Sequence, residues 1–154
     1  MTTREITNSD DIIDIRDVIA RLEELQDERD SLAADFDDAV KNSTSQDEVN
    51  EYGDKLAAWD EENGAELKAL EALMEECKGN GGNEQWRGDW YPVTLIRETY
   101  FKTYAMELAD DLGYTSDDKS SQWPFTCIDW DMAARDLKMD YTSVEFDGVT
   151  YYVR

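Results

Sequence analysis

Carboxylates are the side chains of this sequence that could do chemistry. The 154 residues include 38 Asp and Glu against 15 Lys and Arg, which gives a net charge of −23 and a sequence pI near 4.1. In proteins, carboxylates act as general acids and bases, as ligands for hard cations, or as acceptors for the Lys and Arg side chains of a partner. The pattern of the acids decides between these three uses.

Catalysis and metal binding are disfavoured by that pattern. The sequence has no His, which removes the commonest general base and the commonest metal ligand. Two carboxylates can serve as acid and base, but no motif singles out one pair among so many acids. The spacing of a Ca²⁺-binding EF-hand loop, with acids at alternate positions and a central Gly, is missing too. We therefore expect no enzyme activity, no metal and no cofactor.

The acids are concentrated in the first half of the chain. Residues 1–78 contain 12 Asp and 12 Glu against eight Lys and Arg, a net charge of −16, whereas residues 79–154 carry −7. Few of these acids have a basic neighbour, so helix-stabilising ion pairs do not explain them. Along a helix of about 50 Å this is about one net charge per 3 Å, against one per about 1.7 Å for duplex DNA. The density predicts phosphate mimicry; a solvated face that keeps the protein soluble, or adaptation to high salt, is the alternative.

Two helices must position these acids. In the first, apolar residues recur at alternating steps of three and four, the a/d pattern of a packed helix, with Arg29 at the one polar position. They are Ile15, Val18, Leu22, Leu25, Leu32, Phe36 and Ala39. The return helix carries Val49, Tyr52, Leu56 and Trp59, and we expect it to break at Asn63 and Gly64 before it resumes at Leu67. Ser45 and Glu48 fit a capping box. These features predict an antiparallel acidic hairpin over residues 1–78.

Two local features of this hairpin are also predicted. Thr7, Asn8 or Ser9 is expected to cap the first helix, which places Asp10 and Asp11 in its first turn, where the helix dipole favours acids. When the chain is folded about residues 42–45, Arg29 comes opposite Trp59 and is expected to lie on its aromatic face.

The second half predicts a small α+β domain over residues 86–154, joined to the hairpin by a Gly- and Asn-rich linker over residues 79–85. Residues 93–96 are β-prone, and a helical pattern from about residue 97 to 112 ends before Gly113. Asp129 is placed to cap a short helix that extends to Leu137. Asp147 and Gly148 lie between two alternating apolar runs, 142–146 and 149–153, which is typical of a tight β-hairpin. The fold class is therefore α+β.

Several segments of this half together resemble the C-terminal domain of the ArdA antirestriction family. They are residues 91–96, the helix that contains Tyr104 and residues 107–109, residues 128–130 with Ala133, Ala134 and Leu137, and the closing run 147–152 with Arg154. The resemblance covers about residues 86–154. It implies a protein mimic of duplex DNA, carried by phages or mobile elements, that fills the DNA-binding groove of type I restriction-modification enzymes, and it implies a dimer. The hairpin stands where this family has its first two domains.

The hypothesis that combines charge and resemblance is a DNA-mimic anti-defence protein whose carboxylates engage groove Lys and Arg. An anti-CRISPR protein or another acidic inhibitor is one alternative, and a coiled-coil adaptor or dimerisation module that binds through Leu22, Leu25 or Leu56 is another. The predicted partner-binding acids are Asp10, Asp14, Asp17, Glu24, Asp27, Glu28, Asp35, Asp38, Glu51, Asp54, Glu61, Glu62, Asp110, Asp111, Asp117 and Asp118.

The expected setting is the cytoplasm of an infected or plasmid-bearing bacterium. No apolar run approaches the length of a membrane span, and no secretory signal is recognisable. The acidic pI argues against direct nucleic-acid binding, because phosphates would repel the chain. The expected partner is a DNA-binding protein complex, and the expected state is a homodimer. Cys77 and Cys127 are expected to be reduced, partly buried thiols.

Overall fold

A computed structural model describes residues 3–115 and 121–154. The elements in chain order are β1 (Ile12–Asp14), α1 (Ile15–Asn42), α2 (Gln46–Cys77), β2 (Asn83–Trp86), β3 (Asp89–Tyr91), β4 (Thr94–Arg97), α3 (Phe101–Asp111), α4 (Trp130–Lys138), β5 (Thr142–Phe146) and β6 (Val149–Val153). Short 3-10 turns over Glu98–Tyr100 and Phe125–Cys127 precede α3 and α4. The predicted α+β class is confirmed, with two long helices followed by antiparallel strands.

The two long helices form the predicted antiparallel hairpin. The chain turns at residues 43–45, and the hydroxyl of Ser45 caps α2 by accepting a hydrogen bond from the Glu48 amide at 3.4 Å. The Glu48 carboxylate accepts from the Ser43 hydroxyl at 2.6 Å, so only the serine half of the predicted capping box forms. The turn therefore ends one helix and starts the next within three residues.

A four-stranded antiparallel sheet lies between two helical layers. Its order is β1-β4-β6-β5, with Leu95 of β4 opposite Ile13 on one side and Val153 on the other. Because side chains alternate across a strand, Leu95 and Val153 face α1 and α2, while Ile96 and Tyr152 face α3 and α4. The sheet thus holds the base of the hairpin on one face and the short helices on the other.

One buried cluster joins the hairpin to the sheet. It includes Val18, Leu22 and Leu25 of α1, residues from Leu67 onward in α2, and Tyr151 of β6. The strand β1 also comes from the N-terminal segment yet pairs with β4. The division into two units at residues 79–85 stays a prediction of domain organisation, while the packing joins the two parts through this cluster.

The predicted start of the first helix was wrong. Residues 12–14 form β1, and α1 begins at Ile15 with Asp14 as its cap, whose carboxylate accepts from the Arg16 amide at 2.9 Å. Ile13, in this strand, is buried in the cluster that also contains residues of α1 and α2. The pairing of β1 with β4 takes these residues out of the helical pattern that they continue in sequence.

The predicted break at Asn63 and Gly64 was also wrong, because α2 runs without interruption from Gln46 to Cys77. A Gly in a helix interior costs about 1 kcal/mol relative to Ala, which packing along a long helix can offset. The Asn63 side chain donates back to the carbonyl of Trp59 at 3.3 Å. These residues weaken the helix without ending it.

Residues 83–91 form a small hairpin that the sequence did not predict. Strands β2 and β3 pair antiparallel, and the turn between them places Arg87 at φ 53° and Gly88 at φ 77°. A positive φ at a residue as large as Arg is uncommon, so the Arg-Gly pair is a weak turn signal. The guanidinium lies 4.0 Å from the centre of the Trp86 ring, a cation–π contact that holds the turn.

The remaining elements of the second half follow the sequence predictions. Gly113 follows α3 with φ 81°, and the Asp129 carboxylate caps α4 by accepting from the Met132 amide at 3.1 Å. Asp147 and Gly148 both have positive φ, as the tight turn between β5 and β6 requires. Among the described residues, no helix is both long enough and apolar enough to cross a membrane.

Candidate acidic partner-binding surface

The free end of the helical hairpin, residues 27–62, is called the arm and carries twelve of the sixteen exposed acids of residues 15–77. The remainder of the hairpin, residues 15–26 and 63–77, is called the base. The buried cluster shared with the sheet includes α1 residues only up to Leu25 and α2 residues only from Leu67, with Trp59 packed at its margin. The arm therefore extends beyond the part of the hairpin that the sheet covers.

The arm is strongly and unevenly charged. Its 36 residues include thirteen acids and three bases, a net charge of −10. All three bases are already paired, Arg29 with Asp60 at 2.8 Å, Lys41 with Asp37 at 2.7 Å and Lys55 with Glu51 at 3.3 Å. The pKa values of Arg29 and Lys41 are raised, chiefly by their hydrogen bonds to these carboxylates.

Ten carboxylates of the arm have no basic group within 4.0 Å anywhere in residues 3–115 and 121–154. They are Asp27, Glu28, Asp30, Asp35, Asp38, Asp47, Glu48, Asp54, Glu61 and Glu62, and all ten residues are exposed. Each helix contributes about 25 Å to the length of the arm, so the net charge is about one per 2.5 Å. Duplex DNA carries about one per 1.7 Å. The arm is therefore closer to the charge density of DNA than the whole hairpin is.

Four predicted contact acids lie instead near the base and are bound by the chain itself. The Asp10 carboxylate accepts from Arg4 at 2.6 Å, and Asp17 lies 3.7 Å from the same guanidinium. Asp14 caps α1 and pairs with Arg16 at 2.7 Å, and the hydrogen bond from Arg16 lowers the pKa of Asp14.

Glu24 is the most committed of these four acids. Its carboxylate accepts hydrogen bonds from the amide and hydroxyl of Thr3 and from Arg21 at 2.9 Å, and the Thr3 bonds are the main cause of its lowered pKa. Arg21 also forms a two-pronged pair with Glu66 at 2.7 and 3.0 Å. This network ties the N-terminal segment to both long helices, so Glu24 acts in the fold.

The predicted acids of the second half are divided by the structure. Asp110 and Asp111 are exposed at the end of α3. Asp117 and Asp118 lie outside the described residues.

The other eight predicted acids lie on the arm, namely Asp27, Glu28, Asp35, Asp38, Glu51, Asp54, Glu61 and Glu62. Sequence reasoning missed Asp30, Asp47 and Glu48, which are equally exposed and have no basic group nearby. The signal was present, because all three occupy positions between the apolar residues of the a/d pattern.

The predicted contact between Arg29 and the Trp59 ring is replaced by other bonds. Arg29 donates to both carboxylate oxygens of Asp60, at 2.8 and 3.3 Å, and the Trp59 indole donates to Glu28 at 3.1 Å. A carboxylate offers a guanidinium two parallel hydrogen bonds, which are stronger than a partly hydrated ring contact. These bonds join α1 to α2 at the lower end of the arm.

A cleft of about 760 Å³ lies beside this junction, lined by both long helices and by Arg87. Its charged groups are balanced, with Arg29, Lys68 and Arg87 against Asp30, Asp60 and Glu71. Within the described residues, no group of three acids or thiols is arranged to hold a metal ion. The cleft therefore differs from the acidic arm, where acids outnumber bases.

The apolar stripe of the hairpin is closed within the chain at the base. Leu22 and Leu25 are each only 1% exposed, because the sheet and α2 cover them, while Leu56 in the arm is half-buried. An adaptor of the predicted kind would need these side chains free for a partner helix. Leu22 and Leu25 are thus not free to bind a partner helix in this fold.

Comparison of the chain with protein-family models, with curated proteins and with solved structures finds no match. The likeness to the ArdA family stays a prediction from the residues.

Proposed function

We propose that the protein is an anti-defence inhibitor that mimics duplex DNA and occupies the DNA-binding groove of a type I restriction-modification enzyme. The observation that carries the proposal is the arm, where ten exposed carboxylates have no basic neighbour among the described residues. Groove Lys and Arg that normally contact phosphates would contact these carboxylates instead. The chain acts by occupancy, so it needs no catalytic group.

The concentration of negative charge on the helical hairpin supports this proposal over a purely solubilising role. A protein gains solubility from net charge wherever that charge lies, yet here the charge is concentrated on a rod of two packed helices. A groove that binds DNA holds counterions which are released when phosphates enter it, and a rod of similar charge density releases them in the same way. The resemblance of residues 86–154 to an antirestriction family adds independent support, because it rests on other residues.

The test is competition between the protein and DNA. A purified type I restriction-modification complex is bound to labelled duplex DNA that carries its recognition site, and the protein is titrated in. We expect displacement of the DNA. We also expect the direct affinity of protein for enzyme, measured by calorimetry, to fall at least about tenfold between about 50 mM and about 200 mM salt.

Two matched triple variants locate the binding surface. The arm variant removes three charges from the arm, with Asp35→Asn, Asp54→Asn and Glu61→Gln. The control variant removes three exposed charges from the second half, with Glu98→Gln, Asp136→Asn and Asp140→Asn. The arm variant is expected to bind about tenfold more weakly, and the second variant to bind like the parent, since electrostatic attraction acts mainly between adjacent charges. Equal effects of both variants would contradict a role for the arm.

A CRISPR effector complex bound to its DNA is assayed in parallel, because the arm would fit any groove built for a duplex. Displacement from that complex alone would move the proposal to an anti-CRISPR function. Displacement from neither complex at the lower salt concentration would refute the DNA-mimic function for these two targets.

The expected homodimer and bacterial cytoplasmic setting belong to the same proposal. Several large apolar side chains of the second half are exposed, including Leu112 at 61%, Trp123 at 81% and Met139 at 80%. Exposed apolar groups of this size favour association when they lie together. Light scattering at several protein concentrations measures the oligomeric state, and a constant monomer mass would remove the dimer from the proposal.

A further inference from the structure

The arm and the base of the hairpin differ in how well their inner sides are buried. In the base, Val18, Leu22, Leu70 and Leu73 are at most 1% exposed. Within residues 27–62, all of which the structure describes, only Ala39 is buried. The sheet covers the base but not the arm, so the arm has only a thin seam between two helices. Helices of this length are marginal in water without tertiary packing.

The half-buried seam of the arm consists of Leu32, Ala33, Phe36, Val49, Tyr52, Leu56 and Trp59. Val40, at 54% exposed, contributes little to it. Apolar burial is the main favourable contribution to folding and scales with the area removed from water. The arm therefore has less to hold it closed than the base.

Charge acts against the closed arm as well. Like charges stand three or four residues apart at Asp27 and Asp30, at Asp35 and Asp38, and along Asp47, Glu51 and Asp54. Such neighbours face each other on a helix and destabilise it. The three bases of the arm already have partners, so they do not offset the ten remaining acids.

The second helix also contains two glycines, one inside the arm and one just below it. Gly53 lies beside Phe36, and a Cβ at Gly64 would meet no atom within 4 Å. Glycine weakens a helix because it loses the most backbone freedom on folding. At Gly64 nothing in the packing of the chain requires it. Gly64 therefore weakens α2 at the junction between the covered base and the arm.

From these four observations we propose that the arm opens, meaning that residues 27–62 unfold locally as one unit while the base and the sheet stay folded. We also propose that binding to a cationic partner surface returns the arm to its closed, packed state. The opening follows from burial and charge alone. The identity of the partner rests on the proposed function. Closure would occur because Lys and Arg of the partner neutralise the carboxylates that repel one another.

This arrangement makes two effects of salt oppose each other. Low salt strengthens the attraction between the arm and a cationic groove, but it also strengthens the repulsion that opens the arm. A partner that binds the closed arm has its apparent affinity reduced by the fraction of arm that is closed. The salt dependence of binding is thus shallower than the number of contacting acids would suggest.

Hydrogen exchange read by mass spectrometry tests the opening directly. Exchange of the full chain is compared at about 10 mM and about 1 M NaCl, where the Debye length is about 30 Å and about 3 Å. We expect amides of residues 27–62 to exchange about tenfold faster at low salt, since several like-charge pairs act together. Amides of Leu70, Leu73 and the sheet are expected to change little.

A matched pair of variants separates arm charge from total charge. One variant combines Asp30→Asn, Asp35→Asn and Asp54→Asn. It is expected to slow amide exchange of the arm at low salt, because Asn and Asp have similar helix propensity and only the charge is lost. The control variant, with Glu98→Gln, Asp136→Asn and Asp140→Asn, should leave arm exchange unchanged. An oligolysine peptide added at low salt should protect the arm as 1 M NaCl does.

Two results would overturn the inference. One is an arm as protected as the base at low salt, which would mean that the chain opens only globally, and the other is arm exchange that is the same at both salt concentrations, which would mean that charge repulsion does not open the arm. Neither result depends on a defence enzyme. If the protein does not displace DNA but the arm opens at low salt, the proposed function is removed and the inference stands. If the protein displaces DNA but the arm stays as protected as the base, the inference is removed and the proposed function stands.

Discussion

Identical carboxylates have different roles in this protein, depending on the donors within reach. Glu24 accepts from Thr3 and Arg21, and Asp14 accepts from the Arg16 amide in the first turn of α1, so both stabilise the fold. Asp35 and Asp54 have no such donors among the described residues and remain exposed to solvent. A partner can use the second kind without disturbing the fold. At the residue scale, the acids of the arm are therefore the better candidates for binding.

The two cysteines differ in the same way. Both are free, as predicted, but Cys77 is fully buried at the end of α2, whereas Cys127 is exposed and so differs from the predicted partly buried thiol. Burial raises the pKa of Cys77 to about 12, from an ordinary value near 9.0. The protonated thiol is therefore favoured in the folded chain.

Stability is expected to fall as pH rises above about 9, because the Cys77 thiol ionises in the unfolded chain before it can ionise in the folded one. Below that pH the thiol is protonated in both states, so the contribution is fully present. Burial also raises the pKa of Tyr151, to about 12, which acts in the same direction. The measurement is the melting temperature from about pH 8 to about pH 11. Cys77→Ala should show a shallower fall, and an identical fall would contradict this account.

In the second long helix, α2, two environments follow one another. Its first half, which Ser45 caps, lies in the arm, and its end packs in the buried cluster with Leu70 and Leu73. The helix is continuous because its covered end supports the weaker part that precedes it. This explains why Gly64 lies within a helix rather than at its boundary.

Gly64→Ala is expected to stabilise the protein by about 0.5–1 kcal/mol, because Ala has the higher helix propensity and its methyl group meets open space. Gly53→Ala is the matched control. Its Cβ would lie 3.1 Å from Cε2 of Phe36, so the gain in propensity is offset by crowding. Urea unfolding of both variants measures the difference. An equal gain at the two positions would show that Phe36 yields without cost.

At the scale of the whole molecule, the chain anchors an acidic rod on a three-layer body. The sheet buries the base, and the N-terminal segment is tied to two of its strands. Arg97 of β4 donates to the Asn8 carbonyl at 2.9 Å, and Tyr151 of β6 donates to the Asp10 carbonyl at 2.6 Å. The termini are thereby joined across one sheet. The sheet holds the base of the hairpin, and the arm remains accessible to a partner.

A net charge of −23 makes the folded state sensitive to screening, because folding brings like charges together. We expect the melting temperature to rise by about 3–6 °C between about 10 mM and about 1 M NaCl, which corresponds to roughly 1–2 kcal/mol for a chain of this size. Differential scanning calorimetry provides the measurement. A melting temperature independent of salt would contradict a continuous acidic face.

Features that need only neighbouring residues could be predicted from the sequence. Asp147 and Gly148 adopt positive φ because a two-residue turn between twisted strands requires it. Ser45 and Asp129 cap their helices because a short polar side chain can reach an amide three residues later. Hydrophobic spacing likewise predicted two long helices, and the count of charged residues in 1–78 predicted that acids are concentrated on them. These signals operate within a few residues, so no tertiary contact was needed to recognise them.

The long-range partner of each group depends on how the whole chain packs. Ile13 continues a helical pattern in sequence, yet it pairs with Leu95 in a strand, and Glu24 resembles any other surface acid until Thr3 lies beside it. The same is true of Arg29, which finds Asp60 rather than a ring. Partners 21 to 82 residues away compete with local preference, and their positions are set by packing of the whole chain.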